Sequence, residues 1–158
     1  MRTAASKART TGQGPSLKHR ALAHLARREH SRLELEKKLA PHAGTPEELS
    51  AILDELERAG WLSPARVVEQ VIHTRKRRFG SQRIAYELRE KGIPENLIAE
   101  ALPNLKEAEQ VTAQEVWRKK FGVMPGNAKE FVRQTRFLLG RGFSSAVIAR
   151  VLRNKEDE

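Results

Sequence analysis

The chain has 158 residues, no cysteine, and 30 Lys+Arg against 20 Asp+Glu, which gives a formal net charge of +10. The lack of cysteine excludes disulfides, thiolate catalysis and cysteine-ligated metal sites, and no apolar run reaches the roughly 20 residues that cross a bilayer. The cationic surplus favours a polyanionic partner, although a well-solvated helical surface would have the same composition. We expect a cytoplasmic protein with no membrane association.

The first half of the chain predicts short helices with clear starts and stops. Residues 1–16 are predicted to form a disordered basic tail, and the first helix begins after Ser16. "SRLE" at 31–34 and "TPEE" at 45–48 have the form of capping boxes, which open the second and third helices. Gly60 ends the third helix and Ser63 opens the fourth. The apolar stripe of the fourth helix is Val67, Val68, Val71 and Ile72.

The second half continues in the same way. A fifth helix closes at Gly92, where glycine can adopt the left-handed C-cap conformation. A sixth helix spans 94–102 with Pro103 as its terminator, and a seventh runs from 104 to 121. After an interior loop at 122–127, the last two helices cover 128–141 and 144–153. No segment alternates with period two, so the sequence predicts an all-α fold of about nine helices.

One stretch of sequence occurs twice and, more faintly, a third time. "KGIPENLIAEAL" at 91–102 returns as "RGFSSAVIARVL" at 141–152, and "HAGTPEELSAIL" at 42–53 follows the same pattern. A period of about 50 residues indicates a repeat architecture. We therefore predict three tandem three-helix repeats in an elongated, curved array. Their predicted bounds are 17–60, 61–103 and 104–154, with an acidic tail at 155–158.

No pattern in the sequence is typical of an active site. The five histidines lack the spacing and the carboxylate neighbours of a metal site. The glycines form neither a dinucleotide-binding nor a phosphate-binding loop. We also expect Phe131, Phe137 and Phe143 to pack in the core and Trp61 to pack at a junction between repeats, so that these rings do not form a platform for base stacking. The sequence thus predicts a protein that is not an enzyme and that has no cofactor.

Basic residues cluster in the second half of the chain, and they are our candidates for a binding surface. "HTRKRRFGSQR" at 73–83 has five Lys/Arg and no acid, and "WRKKF" at 117–121 is a second cluster. On a helix Arg66, His73 and Arg77 share one side, away from the valine stripe. The alternative is a solvated helix face with no binding role. The candidates are Arg66, His73, Arg75, Lys76, Arg77, Arg78, Arg83, Arg118, Lys119, Lys120, Arg133, Arg136 and Arg141.

Three stretches resemble one known family. "GWLSPARVVEQVIHTRKRRFGSQRIAYELREKGI" at 60–93 resembles the signature of the RecX family of bacterial regulatory proteins. "RFLLGRGFSSAVIARVL" at 136–152 and "SRLELEKKL" at 31–39 resemble its third and first repeats, so that the resemblance covers about residues 17–153. One departure is Pro64, which stands where the family commonly has an acidic residue. A contact made by that acid cannot be transferred to this chain.

The resemblance implies a non-enzymatic regulator of the RecA recombinase. It would act as a monomer on the RecA filament on single-stranded DNA, with possible direct contact to DNA phosphates. There it would inhibit strand exchange and co-protease activity, and so damp recombination and the SOS response. The rival interpretation is a stand-alone helical nucleic-acid-binding protein. The starts of the third helices, "TPEEL", "IPENL" and "FSSAV", are acidic or neutral, which argues against sequence-specific base readout.

Overall fold

The computed structural model describes residues 14–153 of the chain, and within them the secondary structure is helical. Most of the predicted basic tail (1–16) and all of the acidic tail (155–158) therefore lie outside the described residues. A short 3-10 helix at Ala40–His42 follows the second α-helix. The α-helices are α1 (Leu17–Arg27), α2 (Arg32–Leu39), α3 (Pro46–Arg58), α4 (Pro64–Arg75), α5 (Ser81–Glu90), α6 (Glu95–Lys120), α7 (Ala128–Gly140) and α8 (Ser145–Val151).

The all-α prediction is confirmed, because residues 14–153 contain no strand. The prediction of separate sixth and seventh helices is wrong: they form the single 26-residue helix α6 with Pro103 inside it, so residues 14–153 contain eight α-helices. A proline in a helix interior removes one hydrogen bond and costs about 3 kcal/mol. Buried residues on both sides of it, Ile98 before and Ala113 after, hold α6 in the fold and offset that cost. The boundaries of the repeats stay a prediction.

The predicted capping residues of the second and third helices are confirmed, with one difference in detail. The Ser31 hydroxyl accepts a hydrogen bond from the Glu34 amide, and the Glu34 carboxylate accepts one from the Ser31 amide, so the first capping box is complete. At the second, Thr45 accepts from the Glu48 amide as expected, but the Glu48 carboxylate accepts from the amide of Gly44 at 3.0 Å. The prediction of a second reciprocal capping box is therefore wrong: the carboxylate reaches one residue beyond the cap.

The chain divides into two compact units, which we call the first unit (Met1–Val67) and the second unit (Val68–Glu158). The core of the first unit is almost entirely leucine, contributed by α1, α2, α3 and the segment after α3. Ion pairs between helices surround this core: Lys18 contacts Glu55 at 2.6 Å, and Arg32 contacts Asp54 at 2.7 Å. Its buried residues are Leu17, Ala21, Leu35, Leu39, Leu49, Leu53, Leu56 and Leu62.

The second unit is organised around the long helix α6, which packs against both α5 and α8. Near its carboxyl end the buried Trp117 donates its indole N–H to the side-chain oxygen of Gln134 on α7 at 2.8 Å. The Gln134 amide nitrogen donates in turn to the carbonyl of Val123 at 3.1 Å. This buried chain of hydrogen bonds fixes α7 and the 122–127 loop against the end of α6, where the cluster at 117–121 lies.

Two glycines meet where the segment before α5 crosses the turn between α7 and α8. Gly80 donates its amide to the carbonyl of Arg141 at 2.8 Å, and Gln82 donates to the carbonyl of Gly142 at 3.2 Å. A Cβ on Gly80 would collide with the backbone of Gly142, and one on Gly142, which has φ +89°, would collide with Arg83. Only glycine permits this approach, which brings the sequence cluster 73–83 next to Arg141.

The predicted core role of the aromatic residues is confirmed only in part. Phe143 is fully buried, whereas Trp61 is 55% exposed and Phe131 is 48% exposed. Phe137 is half-buried. The core prediction is therefore wrong for Phe131, because the helix pattern identifies an apolar face but not whether a neighbouring element covers it. The packing of Trp61 at a junction between repeats stays a prediction.

Candidate functional site

Three of the predicted binding residues are bound to carboxylates of the same chain. In the first unit, Arg66 donates to Glu29 at 2.8 Å and to the carbonyl of Gly60 at 2.6 Å. In the second unit, Arg75 binds both carboxylate oxygens of Glu87. Two nitrogens of each guanidinium are therefore occupied by partners within the chain.

Arg118 is the third arginine with a carboxylate partner. It donates to both oxygens of Glu115, one turn earlier on α6, at 3.4 and 3.1 Å. The hydrogen bond from Arg118 lowers the pKa of the Glu115 carboxyl, so this group stays ionised and bound to its partner. Both side chains are at least half exposed, so the pair contributes little to stability.

The two basic sequence clusters meet in one concavity of the second unit, which we call the basic cleft. It has a volume of about 320 Å³ and lies among the end of α4, the carboxyl-terminal part of α6, and α7. Its only acid is Glu115, which is already bound to Arg118. None of its five cations has a carboxylate within ion-pair distance among the described residues. These cations are Arg77, Arg78, Lys119, Lys120 and Arg141.

Phenylalanine rings hold several of these cations in place. The guanidinium of Arg141 lies 5.0 Å from the centroid of the Phe137 ring and 5.1 Å from that of Phe79. The ammonium of Lys120 lies 5.3 Å from the same Phe137 ring. Such cation–π contacts order a side chain without neutralising its charge. The cations therefore remain available to an anion while losing part of their conformational freedom.

Phe79 contacts three arginines, two from its own stretch of sequence and one, Arg141, from a distant part of the chain. Arg78 and Arg83 lie 5.7 and 5.1 Å from its centroid, beside Arg141. Backbone carbonyls fix two of them further: Arg83 donates to Gly140 at 3.2 Å, and Arg141 donates to Arg78 at 3.4 Å. Like charges this close repel one another, and an external anion would relieve that repulsion.

The remaining candidates do not line the basic cleft. His73, Lys76 and Arg136 are exposed, and their side chains make no hydrogen bond or ion pair within residues 14–153. Arg133 lies over the ring of Phe121 at 5.6 Å. Their part in binding stays a prediction.

Sequence reasoning missed two other cations. Lys106 on α6 and Arg150 on α8 line a separate groove together with Arg89 of α5. They come from three helices and no linear cluster marks them, so only the packing of these helices brings them together. Arg89 is bound to Glu95, which leaves Lys106 and Arg150 as the cations of that groove with no ion pair to another described residue.

Neither a metal site nor a membrane span is found in the part of the chain that the structure describes. Residues 14–153 contain no group of three or more His, Cys, Asp or Glu side chains arranged to hold a metal ion. Over the same residues, no helix combines the length and the apolar character that crossing a bilayer requires.

The fold and the sequence define a class of bacterial regulatory proteins built from three-helix domains. Family models match twice: the second three-helix domain of RecX over residues 65–102, and the third three-helix domain over residues 107–152. The regulatory protein RecX of Leptothrix cholodnii is 52% identical over 143 residues, covering 90% of this chain and 91% of that protein. The chain belongs to the RecX family.

A second relative and two solved structures that are similar to this chain also have the name RecX. The regulatory protein RecX of Ralstonia nicotianae is 43% identical over 141 residues, covering 89% of each chain. The crystal structure of RecX from Lactobacillus salivarius superimposes with a TM-score of 0.68 at 22% identity and covers 86% of this chain and 92% of its own. A second crystal structure of a regulatory protein RecX gives a TM-score of 0.75 at 23% identity and covers 90% of this chain and 72% of its own. At these identities the structures support the fold alone.

Proposed function

We propose that the chain binds the RecA filament on single-stranded DNA and inhibits its recombinase and co-protease activities. It damps recombination and the SOS response by occupying the filament, and it catalyses no reaction. The basic cleft is the observation that carries the proposal. Five cations without carboxylate partners among the described residues converge there, although four come from two sequence clusters about 40 residues apart and the fifth, Arg141, from the end of α7.

The physical argument is that the cleft matches a polyanion. An isolated cluster of like charges raises the free energy of the unbound protein, and each phosphate that enters the cleft relieves this repulsion and releases counterions. The arginines bound to Glu29, Glu87 and Glu115 gain little from such a ligand, because they already have an anion. We therefore assign polyanion binding to the cleft cations and pairing within the chain to Arg66, Arg75 and Arg118.

The decisive experiment measures binding of the full chain to RecA–single-stranded DNA filaments at several salt concentrations. Arg77→Glu together with Arg78→Glu should lower the affinity by about a hundredfold and flatten the dependence on salt, because each lost phosphate contact removes about 0.7 from the slope on single strands. The melting temperature should change little, since exposed charges contribute roughly 0–1 kcal/mol each.

The matched control reverses two exposed cations of the first unit. Arg27→Glu with Lys37→Glu makes the same change in net charge away from the basic cleft, and it should leave affinity and salt slope close to wild type. If both double variants weaken binding equally, net charge alone drives the association and the cleft has no special role. If the Arg77/Arg78 variant binds as tightly as wild type at every salt concentration, the cleft is a solvated surface.

A second candidate function is a stand-alone nucleic-acid-binding protein, and the same cleft favours it, because cations with no acid partner suit any nucleic acid. Naked single-stranded DNA as a parallel probe separates the two. A filament regulator should bind the filament more tightly than the same DNA without RecA, and it should slow strand exchange at matched occupancy. Equal affinity for both probes would favour the second candidate.

A further inference from the structure

The second unit carries an apolar groove directly beside the basic cleft. It has a volume of about 490 Å³ and lies among α4, the start of α5 and the middle of α6. Ile72, Phe79 and Leu105 line it and are each half-buried. On α6 the lining residues Ala101 and Ala108 carry only a methyl group, so the groove has room for a side chain from another molecule.

The charged groups that line the apolar groove divide into one with hydrogen-bond partners and two with no ion pair. Glu109 is 5% exposed, and its carboxylate accepts hydrogen bonds from both the amide and the hydroxyl of Ser81, each at 3.2 Å. The carboxylate of Glu109 therefore accepts the hydrogen bond of the first amide of α5. Lys76 and Arg77 are exposed lining residues with no ion pair in the described part of the chain. The groove therefore combines apolar walls with an unsatisfied positive edge.

The apolar groove and the basic cleft share one residue, Arg77. The two concavities form a continuous surface that changes from cationic to apolar across this side chain. A ligand that is only a phosphate backbone fits the cleft but offers nothing aliphatic to the groove. A filament that presents protein beside nucleic acid could occupy both.

We propose that the apolar groove is a protein-docking site that takes an apolar side chain flanked by a carboxylate. The side chain would bury its surface against Ile72 and Leu105, and the carboxylate would pair with Lys76. This inference rests on the proposed function and names the protein component of the filament as the occupant. It implies a division of labour, in which the basic cleft contacts phosphates and the apolar groove contacts protein.

The test fills the groove without changing any charge. Ala108→Phe places a ring in the groove, and Ala99→Phe places the same ring at an exposed position of α6 that does not line it. Ala108→Phe should weaken binding to the RecA–single-stranded DNA filament about tenfold or more, as loss of a central anchor does. Its salt slope and its affinity for the same DNA without RecA should match wild type. Ala99→Phe should leave all three quantities unchanged.

A second variant guards against a folding defect. Leu105→Ala removes apolar wall without adding bulk and should also weaken filament binding severalfold, again with an unchanged salt slope. Thermal melts are run on both variants. If Ala108→Phe melts well below wild type, the filament affinity of Leu105→Ala is used instead to test whether the groove docks protein.

Each remaining outcome overturns the inference in its own way. Unchanged filament affinity in the folded variants means that the groove docks nothing on the filament. Equal weakening on filament and on bare DNA means that nucleic acid bases occupy the groove. If the wild-type chain does not bind the filament at all, the proposed function fails and this inference fails with it. By contrast, wild-type binding that Ala108→Phe does not affect removes only the inference.

Discussion

The two units differ in how far their cations are paired with carboxylates. Between residues 14 and 67 there are nine Lys+Arg and eight Asp+Glu, whereas residues 68–153 have 17 and nine. In the first unit Lys18, Arg28, Arg32 and Arg66 all bind carboxylates of the same unit. In the second unit the acids are too few for this, and three of the five cations of the basic cleft lie over phenylalanine rings. A unit that neutralises itself has little electrostatic attraction for an external anion, whereas the second unit retains most of its charge.

The largest expected effect comes from moving the backbone that assembles the second unit's cations. Gly142→Ala should destabilise the protein by several kcal/mol and weaken filament binding, because its new Cβ combines the left-handed strain of about 1–2 kcal/mol with a collision against Arg83. Gly60 in the first unit is the matched control, since it has φ +81° but a Cβ added there would meet nothing within 4 Å beyond its chain neighbours. Gly60→Ala should therefore show the strain alone. Equal shifts in the calorimetric melting temperature would contradict the steric argument.

A second test separates paired from unpaired arginines. Arg77→Gln should reduce filament affinity about three- to tenfold at about 0.1 M salt and leave the melt unchanged, because it removes one phosphate contact and no intramolecular bond. Arg66→Gln should do the reverse: it loses its bonds to Glu29 and Gly60 and melts slightly lower, with affinity within about twofold of wild type. Titrations and melts on both variants check this. The comparison between the units fails if the two substitutions have the same effects.

A smaller effect should show whether the fixed position of a cation affects binding in addition to its charge. Arg141→Lys keeps the net charge but loses the planar contacts with Phe79 and Phe137, so affinity should fall about two- to fivefold, in keeping with about 0.5–1 kcal/mol for cation–π ordering. The salt slope should stay the same, since no phosphate contact disappears. Lys119→Arg is the control and should bind like wild type. If Arg141→Lys also binds the filament as tightly as wild type, the rings have no role in binding.

The smallest effect concerns the first unit and pH. His30 is 2% exposed; its Nδ1–H donates to the carbonyl of Arg28 at 3.0 Å, and its Nε2 accepts from the Lys38 ammonium at 2.9 Å. Burial chiefly, and the neighbouring charges of Arg28 and Lys38 in addition, lower the pKa of His30 below its ordinary value of 6.5, although the bond to the Arg28 carbonyl and the charge of Glu34 act in the opposite direction.

The sign follows from proton uptake. As the pH falls below 6.5, the unfolded chain binds a proton that the folded state resists, so the free energy of unfolding should decrease. Urea titrations at about pH 7.5 and about pH 5.5, on either side of that value, check this, with His30→Gln as the comparison. The variant should lose part of the pH dependence of the free energy of unfolding. Part of the remaining dependence comes from His24, because burial also lowers the pKa of that side chain. A wild type that is more stable at the lower pH would contradict the assignment of a neutral His30.

The sequence by itself determined the helices, because hydrophobic period and caps are local. Ser16, Ser31 and Ser144 accept the amide hydrogen bonds that their positions predict, and Gly92 has the expected positive φ of 75°. It also showed the resemblance to the RecX family through three separate stretches. It failed at Pro103, where a local signal for a helix end was overridden by the packing of α6 against α5 and α8.

Only the tertiary structure decided which cations are available. Every candidate residue is cationic or titratable in the sequence, and nothing local distinguishes Arg75, whose partner Glu87 lies on the next helix, from Arg77, which has no partner among residues 14–153. Arg141 meets Phe79 because Gly80 and Gly142 let two distant turns touch. The physical reason is that helix formation depends on neighbours within about four residues, whereas charge pairing and ring contacts depend on which helices pack together.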